Sequence, residues 1–445
     1  MKNFILAFGF FGTFNVLSQN SFSILSPSQR LATYTATTYI PKFFFTVGSF
    51  NSEVGLNFSV GDFISQSSSN SLSNLVDSRA YLGARTETPI ELISILKKTK
   101  KGGYTALGAQ LKASLSINID RDFLRIATAG LLPEGFGVEE IRSRGVDLNA
   151  HVFTETYFHQ VRQLGKLNFG YRVRLINPIA GVQFITPNFS VTRVNSASEN
   201  TLDLEYQFKA SAYGVDLQSP VLPSLGVSSF FSKYSSFAFD IGAEQEINSK
   251  LKVGIALKGL PGSIKRGEVR TVIVDGGLSY SGVDYTVGVD SLNGVFNSLT
   301  AFDFDSILPD IVQIPDDVIK IPLRPEITIY LNRYLSEESV LFLSMAMRSN
   351  GFDQDFKTSA FVYSRSNKLF HLAYGVNWWA NNNSFDATIA GRMLIGPYTR
   401  LSLGMSNPFS LPRIGPGGAV LVPEKFQGFM IGLGISFGRY RGEDF

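Results

Sequence analysis

The sequence contains no cysteine, only three histidines and few charged residues. Without cysteine the chain can form neither a disulfide framework nor the lipid-modified cysteine of a lipoprotein. Charged residues make up 17% of the chain, and Lys+Arg 40 against Asp+Glu 37 is too balanced to indicate a nucleic-acid-binding surface. After Leu17 no apolar run approaches the ~20 residues of a membrane-spanning helix. If the mature protein sits in a membrane, it must cross it as a barrel of strands.

Strand-forming and turn-forming residues are abundant. Aromatic residues make up 13% of the chain, Phe occurs 38 times and Gly occurs 41 times. This composition is poor in helix formers and typical of a β protein. With 445 residues, the chain could hold two or three soluble domains or one large closed sheet.

The first residues resemble a secretory signal. Lys2 precedes the apolar run Phe4–Phe11, which continues to Leu17 and ends at the small polar residues Ser18 and Gln19. We therefore predict a signal peptide over residues 1–19 and, after its cleavage, a location in the outer membrane of a Gram-negative cell. The segment 20–42 has no clear period, and we predict that it lies inside or under the barrel.

The clearest strand pattern lies between Ala106 and Ile119. Leu107, Leu111 and Leu115 belong to an apolar series that alternates with Gly, Gln, Lys, Ser and Asn. Since strand side chains point alternately to opposite faces, the run has one apolar and one polar face. The turn at Asp120 is predicted to start a hairpin whose second strand includes Arg125.

The same alternation recurs along the chain, near residues 54–60, 167–175, 202–210, 237–244, 251–258, 370–378 and 429–437. Short connections alternate with long ones near 63–103, 132–148, 214–234, 261–323 and 406–426. This layout predicts an all-β fold, a transmembrane antiparallel up-and-down β-barrel over residues 43–445 with short periplasmic turns and long external loops. The strand patterns indicate roughly 14 to 18 strands, and the number should be even because both termini are expected on the periplasmic side. Residues 269–289 could form a hairpin outside the barrel, and the capping-box pattern at Thr88 predicts a short helix to Lys101 in the first loop.

The polar faces of these strands suit an enclosed interior. Glycine and serine are frequent on them, and glycine weakens an exposed strand, whereas an apolar outward face is stable only in lipid. The charged lumen-lining residues predicted from this parity are Lys112, Arg125, Arg172, Arg174, Asp203, Glu205, Lys209, Asp240, Glu244, Lys252, Lys258 and Arg392. They could form a polar pathway, but because acids and bases are interleaved, a mutually neutralising network that plugs the lumen is favoured.

One connection is unusually apolar. Between Ser291 and Ile321, apolar residues first have helical spacing and then form a long run; the candidate lid or partner-binding residues are Leu292, Phe296, Leu299, Ile307 and Ile311. Such a segment could pack into the barrel mouth as a lid, lie on the membrane surface, or contact another protein.

No catalytic, cofactor or metal site is predicted. His151, His159 and His371 lack metal-ligand spacing, and His151 and His159 are too far apart on one strand to share a metal. No Ser-His-acid set can be assembled from the sequence. We therefore predict a protein that is not an enzyme and has no cofactor.

Several short motifs carry a resemblance to known families. They are Ser18-Gln19, Ser26-Pro27-Ser28, Phe58-Ser59-Val60-Gly61-Asp62, Phe239-Asp240-Ile241-Gly242-Ala243 and Gly432-Leu433-Gly434-Ile435-Ser436-Phe437. With them the chain resembles outer-membrane barrels of Bacteroidota whose function is uncharacterised. In architecture these are similar to the long-chain fatty-acid channel (FadL-type) group and to PorV-type accessory barrels of type IX secretion. The resemblance implies about 14 strands and an N-terminal segment threaded through the lumen.

Two main functional hypotheses follow. The preferred one is a non-enzymatic barrel that acts as a subunit or docking partner in an outer-membrane assembly or secretion complex. The alternative is a FadL-like channel for hydrophobic or small amphiphilic solutes, gated by the N-terminal segment. A third is a structural barrel with adhesive loops. The predicted partners are outer-membrane lipids, other outer-membrane or secretion proteins, and a hydrophobic solute, without nucleic acid.

Overall fold

The computed structural model describes residues 43–56, 81–99, 103–123, 137–195, 200–214, 230–281, 310–336, 339–349, 354–365, 370–379, 384–395, 399–406, 413–414, 420–421 and 428–438. These residues are almost entirely antiparallel β-strand. The strands are β1 Phe43–Leu56, β2 Tyr81–Lys98, β3 Tyr104–Asp120, β4 Gly137–Ser143, β5 Val146–Leu164, β6 Leu167–Asn195, β7 Asn200–Tyr213, β8 Ser236–Asn248, β9 Leu251–Leu260, β10 Ser263–Ser281, β11 Asp310–Pro322, β12 Glu326–Tyr334, β13 Ser339–Ser349, β14 Gln354–Arg365, β15 Phe370–Trp379, β16 Ser384–Ile395, β17 Thr399–Ser406, β18 Arg413–Ile414, β19 Val420–Leu421 and β20 Gly428–Gly438. No helix in these ranges is long and apolar enough to cross a membrane.

One 18-stranded sheet contains all of these strands except the short pair β18 and β19. The sheet closes on itself, because β1 pairs with β2 on one side and with β20 on the other. The closed ring has 14 strands, since four of the 18, β4, β7, β10 and β11, lie outside it. The ring order is β1, β2, β3, β5, β6, β8, β9, β12, β13, β14, β15, β16, β17 and β20. The predicted closed antiparallel barrel of about 14 strands is confirmed.

The alternation of residues sets which face is outside. In β8, Phe237 and Phe239 are 61% and 45% exposed, whereas Ala238 and Asp240 between them are buried. The same pattern continues around the ring, with exposed Ile255 in β9, Ile329 in β12, Met345 in β13, Val376 in β15, Ile389 in β16, Leu403 in β17 and Ile435 in β20. A closed barrel with an apolar outer belt and polar residues inside is a transmembrane barrel.

The two ends of the ring differ. At one end, which we call the turn end, the strand pairs β5–β6, β8–β9, β12–β13, β14–β15 and β16–β17 are joined across residues 165–166, 249–250, 335–338, 366–369 and 396–398. These connections match the predicted short turns. At the opposite end, the loop end, β13 and β14 are joined across 350–353 and β15 and β16 across 380–383, so not every connection there is long.

An outer wall rises beyond the ring at the loop end. Residues 167–176 of the 29-residue strand β6 pair with β8 inside the ring, but residues 181–195 pair with β7 instead. β10 continues this sheet beside β7, and β11 pairs with β10. We define the outer wall as residues 181–195 of β6 with β4, β7, β10 and β11. Residues 269–289 were expected to form a hairpin outside the barrel; residues 269–281 instead belong to the single outer-wall strand β10, and residues 282–289 lie outside the described residues.

The helix predicted from Thr88 to Lys101 is wrong. Residues 81–98 form β2, which pairs with β1 and β3 along its length. The register shifts between Glu91 and Ile93, where an extra residue forms a β-bulge. Because of the bulge, Leu92 and Ile93 are both exposed and the strict alternation of inward and outward residues is interrupted. The resulting spacing of apolar residues is therefore similar to that of an amphipathic helix. Much of the loop predicted near 63–103 is therefore a ring strand.

The hairpin predicted at Asp120 is also wrong. β3 ends at Asp120 at the loop end, and its neighbours are β2 and β5 rather than a strand beginning at Leu124. The Asp120 carboxylate accepts hydrogen bonds from the backbone N–H groups of Asp122 (3.2 Å) and Arg144 (2.7 Å). This side chain therefore closes the end of a strand instead of making a tight turn.

Interior glycines make room for aromatic rings on the neighbouring strand. Gly108 is paired with Tyr157, and a Cβ added to Gly108 would lie 2.4 Å from the Tyr157 hydroxyl oxygen. Gly254 is paired with Tyr330 in the same way, with 2.3 Å to Tyr330 Cζ. In both pairs the ring lies flat over the glycine, which explains why glycine is frequent on the inward face.

Candidate functional site

Most of the predicted lumen-lining residues in the ring strands lie on the inward face. They alternate with the exposed apolar residues of the outer belt; they are Lys112 in β3, Arg172 and Arg174 in β6, Asp240 and Glu244 in β8, and Lys252 and Lys258 in β9. Arg392 lies on β16 opposite His371 and Ser402, and its side chain is outside the described part. Arg125 lies outside the described residues.

Three predicted residues are not in the ring. Asp203, Glu205 and Lys209 lie on β7 in the outer wall, so they do not line the membrane-spanning lumen. Their alternation is the same as that of a ring strand, and parity alone could not reveal that β6 changes partner from β8 to β7. Lys209 Nζ lies 2.8 Å from the Asp317 carboxylate of β11.

The centre of the interior is an ionic layer formed by Glu155, Arg172, Arg174 and Asp240. Arg174 bridges two strands, with Nη1 3.3 Å from Glu155 Oε2 and Nη2 2.8 Å from Asp240 Oδ1. Arg172 Nη1 lies 3.9 Å from Asp240 Oδ2. The Gly259 backbone N–H donates to Asp240 Oδ1 at 2.9 Å. All four side chains are buried, so their charges compensate one another with little water.

Uncharged and aromatic groups complete this layer. Gln110 Nε2 donates to Glu155 Oε1 at 2.8 Å, and the Arg172 guanidinium lies 5.4 Å from the centre of the Tyr157 ring. The Tyr157 hydroxyl donates to Glu91 Oε1 at 2.6 Å. Sequence reasoning missed Glu91 because it was assigned to a helix; its place within the apolar run from Ile90 to Leu96 was the available signal.

Apolar residues cover the ionic layer at both ends. Toward the turn end lie Leu96, Tyr104, Ala106, Tyr157 and Val161, which form one buried cluster. Toward the loop end lies a second cluster of Phe153, Ile176, Tyr213, Ala238, Ile264, Val269, Ile319 and Ile321. Phe153, Ile176 and Ala238 are each two residues along the strand from Glu155, Arg174 and Asp240. Around Glu155 the ionic layer therefore lies between two apolar clusters, which strengthens its electrostatic interactions there.

The second apolar cluster also places part of the predicted lid segment. Ile319 and Ile321 of β11 are buried against inward-facing residues of β5, β6 and β8. Ile311, at the other end of β11, is 57% exposed. Leu292, Phe296, Leu299 and Ile307 lie outside the described residues. We call Ile264, Ile319 and Ile321 the lid residues.

A second charged group lies near the mouth, at the loop end of β9, β12 and β13. Glu326 Oε1 accepts from Lys258 Nζ at 3.0 Å, and its Oε2 accepts from Arg348 Nη2 at 2.8 Å. In β2 and β3, Glu87 and Lys112 form an ion pair of 2.6 Å. Lys112 and Lys258 were predicted from parity, whereas Glu87, Glu326 and Arg348 were not.

The chemistry of these groups is that of structural ion pairs. In the ranges that the structure describes, no group of three His, Cys, Asp or Glu side chains could hold a metal ion. His159 lies between the Tyr104 hydroxyl and Arg172 Nη2, each at 3.4 Å. Glu244 accepts from Asn168 and Asn332 at 2.9 and 3.3 Å. The interior is thus held by paired or hydrogen-bonded polar groups.

The class of protein defined by this geometry is a 14-stranded transmembrane β-barrel with a polar, densely packed interior. The sequence matches, over residues 33–314, the family described as "Family of unknown function (DUF5723)". The chain belongs to this family. No curated protein sequence matches it.

Solved structures with some similarity are bacterial barrels. The Pseudomonas putida toluene transporter TodX has 9% identity and a TM-score of 0.40, with 96% of this chain and 94% of that chain covered. A Pseudomonas aeruginosa FadL homologue has 8% identity and a TM-score of 0.40, with 89% and 90% covered. The translocator domain of the autotransporter NalP from Neisseria meningitidis has 7% identity and a TM-score of 0.32, with 96% and 99% covered. The fold assignment rests on the strand pairing described above.

Proposed function

We propose that this protein is a non-enzymatic outer-membrane barrel that serves as a docking subunit of an outer-membrane assembly. The outer wall is the observation that carries this proposal. A barrel strand needs about 9–11 residues to cross a membrane, and β6 has 29. The upper part of β6, with the strands beside it, therefore extends into the aqueous space.

Among the described residues, β11 pairs with β10 alone and forms the last strand of the outer wall. Ile311, Val312 and Val318 of β11 are 57%, 52% and 58% exposed. Apolar side chains grouped at the edge of a protruding sheet are typical of a protein contact surface. The packed interior adds support, because a lumen filled with ion pairs and buried aromatic rings suits a scaffold better than an open pore. The proposed partner is a protein with an apolar surface.

The test is the native mass of the protein after extraction in mild detergent. We expect the wild type to migrate well above its 48.9 kDa chain mass. A variant with Ile311→Lys and Val318→Lys should migrate as the single barrel, because two buried charges would oppose the contact. Gln313→Lys, an exposed polar position on the same strand, is the matched control and should keep the large complex. A wild type that migrates alone, or a complex that survives the double substitution, would contradict the proposal.

A second candidate is a channel for hydrophobic or small amphiphilic solutes. The lid residues favour it, because an apolar cover in the mouth could move aside and leave an apolar entrance. Liposome uptake of a labelled amphiphile would test it. Ile319→Asp with Ile321→Asp should raise uptake, whereas Ile311→Asp on the exposed end of β11 should not. Equal uptake in folded forms of all three proteins would exclude a lid-controlled channel.

A further inference from the structure

Two lysines lie directly opposite each other on neighbouring strands of the outer wall. Lys265 of β10 and Lys320 of β11 are register partners in this antiparallel pair, and both side chains are exposed. Directly opposite residues of such a pair have Cβ atoms about 5 Å apart, and like charges in this position destabilise a sheet. An anion bound between the two ammonium groups would relieve their repulsion.

The direction of the two lysine side chains follows from their neighbours along the strands. Ile264 and Ile321, which are also register partners, and Ile319 are buried in the apolar cluster that covers the ionic layer. Successive side chains of a strand point to opposite faces of the sheet. Lys265 and Lys320 therefore point away from the lumen, to the same side as the apolar outer belt of the ring.

The lysine pair lies just above the loop end of the ring. β10 begins three residues after β9 ends, and β12 begins four residues after β11 ends. The Leu323 backbone N–H donates to the Gly262 carbonyl at 2.8 Å and ties these two connections together. Below them, the outer belt includes Phe237 near the loop end of β8, which is 61% exposed, and Ile327 near that of β12, which is 38% exposed. The lysines are therefore at the level where the lipid headgroups of the outer leaflet begin.

Acids near the lysine pair are engaged by other lysines. Lys233 Nζ pairs with the Glu268 carboxylate, and Lys209 Nζ lies 2.8 Å from the Asp317 carboxylate. Neither lysine of the pair forms an ion pair with any residue in the described ranges. Both charges are thus available to an anion from outside the chain.

We propose that Lys265 and Lys320 bind a phosphate group of an outer-leaflet lipid whose acyl chains pack on the outer belt below. Lysine binds phosphate as a point charge, and two lysines on adjacent strands can donate to different oxygens of one phosphate group. The ligand is a lipid rather than a free anion, because the pair lies at headgroup level directly above exposed apolar residues such as Phe237. This role does not depend on the protein docking proposed for the outer wall.

Binding of lipid A, a lipid with terminal phosphate groups, to the full-length protein in neutral detergent tests the proposal. Lys265→Gln with Lys320→Gln, the lysine-pair variant, should bind lipid A about thirtyfold more weakly than the wild type, because two charges near the headgroup are lost. The matched control is Lys166→Gln with Lys250→Gln, which removes two exposed lysines from turns at the opposite end of the ring. This control changes the net charge equally and should bind lipid A like the wild type. Lipid A whose phosphate groups have been removed should bind the wild type about thirtyfold more weakly as well.

Thermal unfolding in the same detergent gives a second measurement. Without lipid, the lysine-pair variant should unfold at the same temperature as the wild type or at a higher one, because the repulsion between like charges is removed. A lower unfolding temperature would contradict that repulsion and overturn the proposal. Lipid A should raise the unfolding temperature of the wild type more than that of the lysine-pair variant.

The binding measurements can overturn the proposal in three further ways. The lysine-pair variant could keep its affinity for lipid A, or the control variant could lose as much affinity. Lipid A without phosphate groups could bind as well as intact lipid A. Inorganic phosphate could displace lipid A at equal concentration, which would mean that the site binds a free anion rather than a lipid.

Discussion

Removing Arg174 should destabilise the barrel strongly, because two buried carboxylates depend on it. Its side chain is 11% exposed and bonds Glu155 and Asp240 at 3.3 and 2.8 Å. Arg174→Met keeps most of the apolar volume but leaves both acids enclosed between apolar layers. Breaking a buried ion pair by removing one partner costs about 3–5 kcal/mol. We expect a loss of free energy of unfolding in that range.

The matched control is an ion pair that is shorter but exposed. Arg142 Nε lies 2.6 Å from Glu140 Oε1 on β4, with 78% of the arginine side chain exposed. Arg142→Met should cost about 0–1 kcal/mol, since exposed pairs contribute little. The comparison shows whether burial or the distance between the charged atoms determines the loss of stability, because the pair with the shorter distance is expected to contribute less.

Urea unfolding in lipid vesicles, followed by fluorescence of Trp378 and Trp379, measures both free energies. Adding Glu155→Gln to Arg174→Met should restore most of the stability, because one acid, Asp240, then remains beside one arginine, Arg172, and the charges of the layer balance again. The reasoning is refuted if Arg174→Met costs no more than Arg142→Met. It is refuted as well if the double variant Arg174→Met with Glu155→Gln is less stable than Arg174→Met alone.

Two further tests use substitutions in the ring strands and in the outer wall. Gly254→Ala should lower the free energy of unfolding by about 1–3 kcal/mol in the same measurement, because the added Cβ would lie 2.3 Å from Tyr330 Cζ. Combining it with Tyr330→Ala should cost less than the sum of the two single substitutions. Strict additivity of the two costs would contradict a contact between Gly254 and the Tyr330 ring. Ile255 in β9 and Ile311 in the outer wall are both about half exposed. Ile255→Arg, on the lipid-facing side of the ring, should lower the free energy of unfolding by about 2–4 kcal/mol, whereas Ile311→Arg should lower it by less than about 1 kcal/mol. Equal losses would mean that the outer wall also lies in lipid.

Which face each residue of a strand occupies could be predicted from the sequence, because successive side chains of a barrel strand point alternately to the polar lumen and to the apolar membrane. Arg172, Arg174 and Asp240, for example, were assigned to the inward face from parity, and their side chains are buried in β6 and β8. The strand pairing could not be predicted as well. The stretch of β7 from Asp203 to Lys209 has the same alternation as a ring strand. It lies outside the ring only because β6 changes its partner from β8 to β7 along its length.

Irregular positions account for the clearest errors. The bulge between Glu91 and Ile93 inserts one residue into β2, so the apolar residues there have a spacing that resembles that of a helix. Glu91, a buried acid of the interior, was therefore not predicted to face the lumen. The ion pairs of Glu326 carry no sequence signal either, because strand pairing brings Lys258 and Arg348 beside it. Local pattern thus predicts faces, whereas contacts across the lumen depend on how the whole ring closes.

The pairing of β1 with β20 has a consequence for biosynthesis. The seam joins Phe44 to Gly438, so the hydrogen bonds that complete the cylinder link residues from opposite ends of the polypeptide. Contacts so distant in sequence are slow to form, and until β20 is in place β1 and β17 each present an unpaired edge. Newly exported chains should therefore need shielding of these edges from aggregation for longer than a domain of the same size with local contacts.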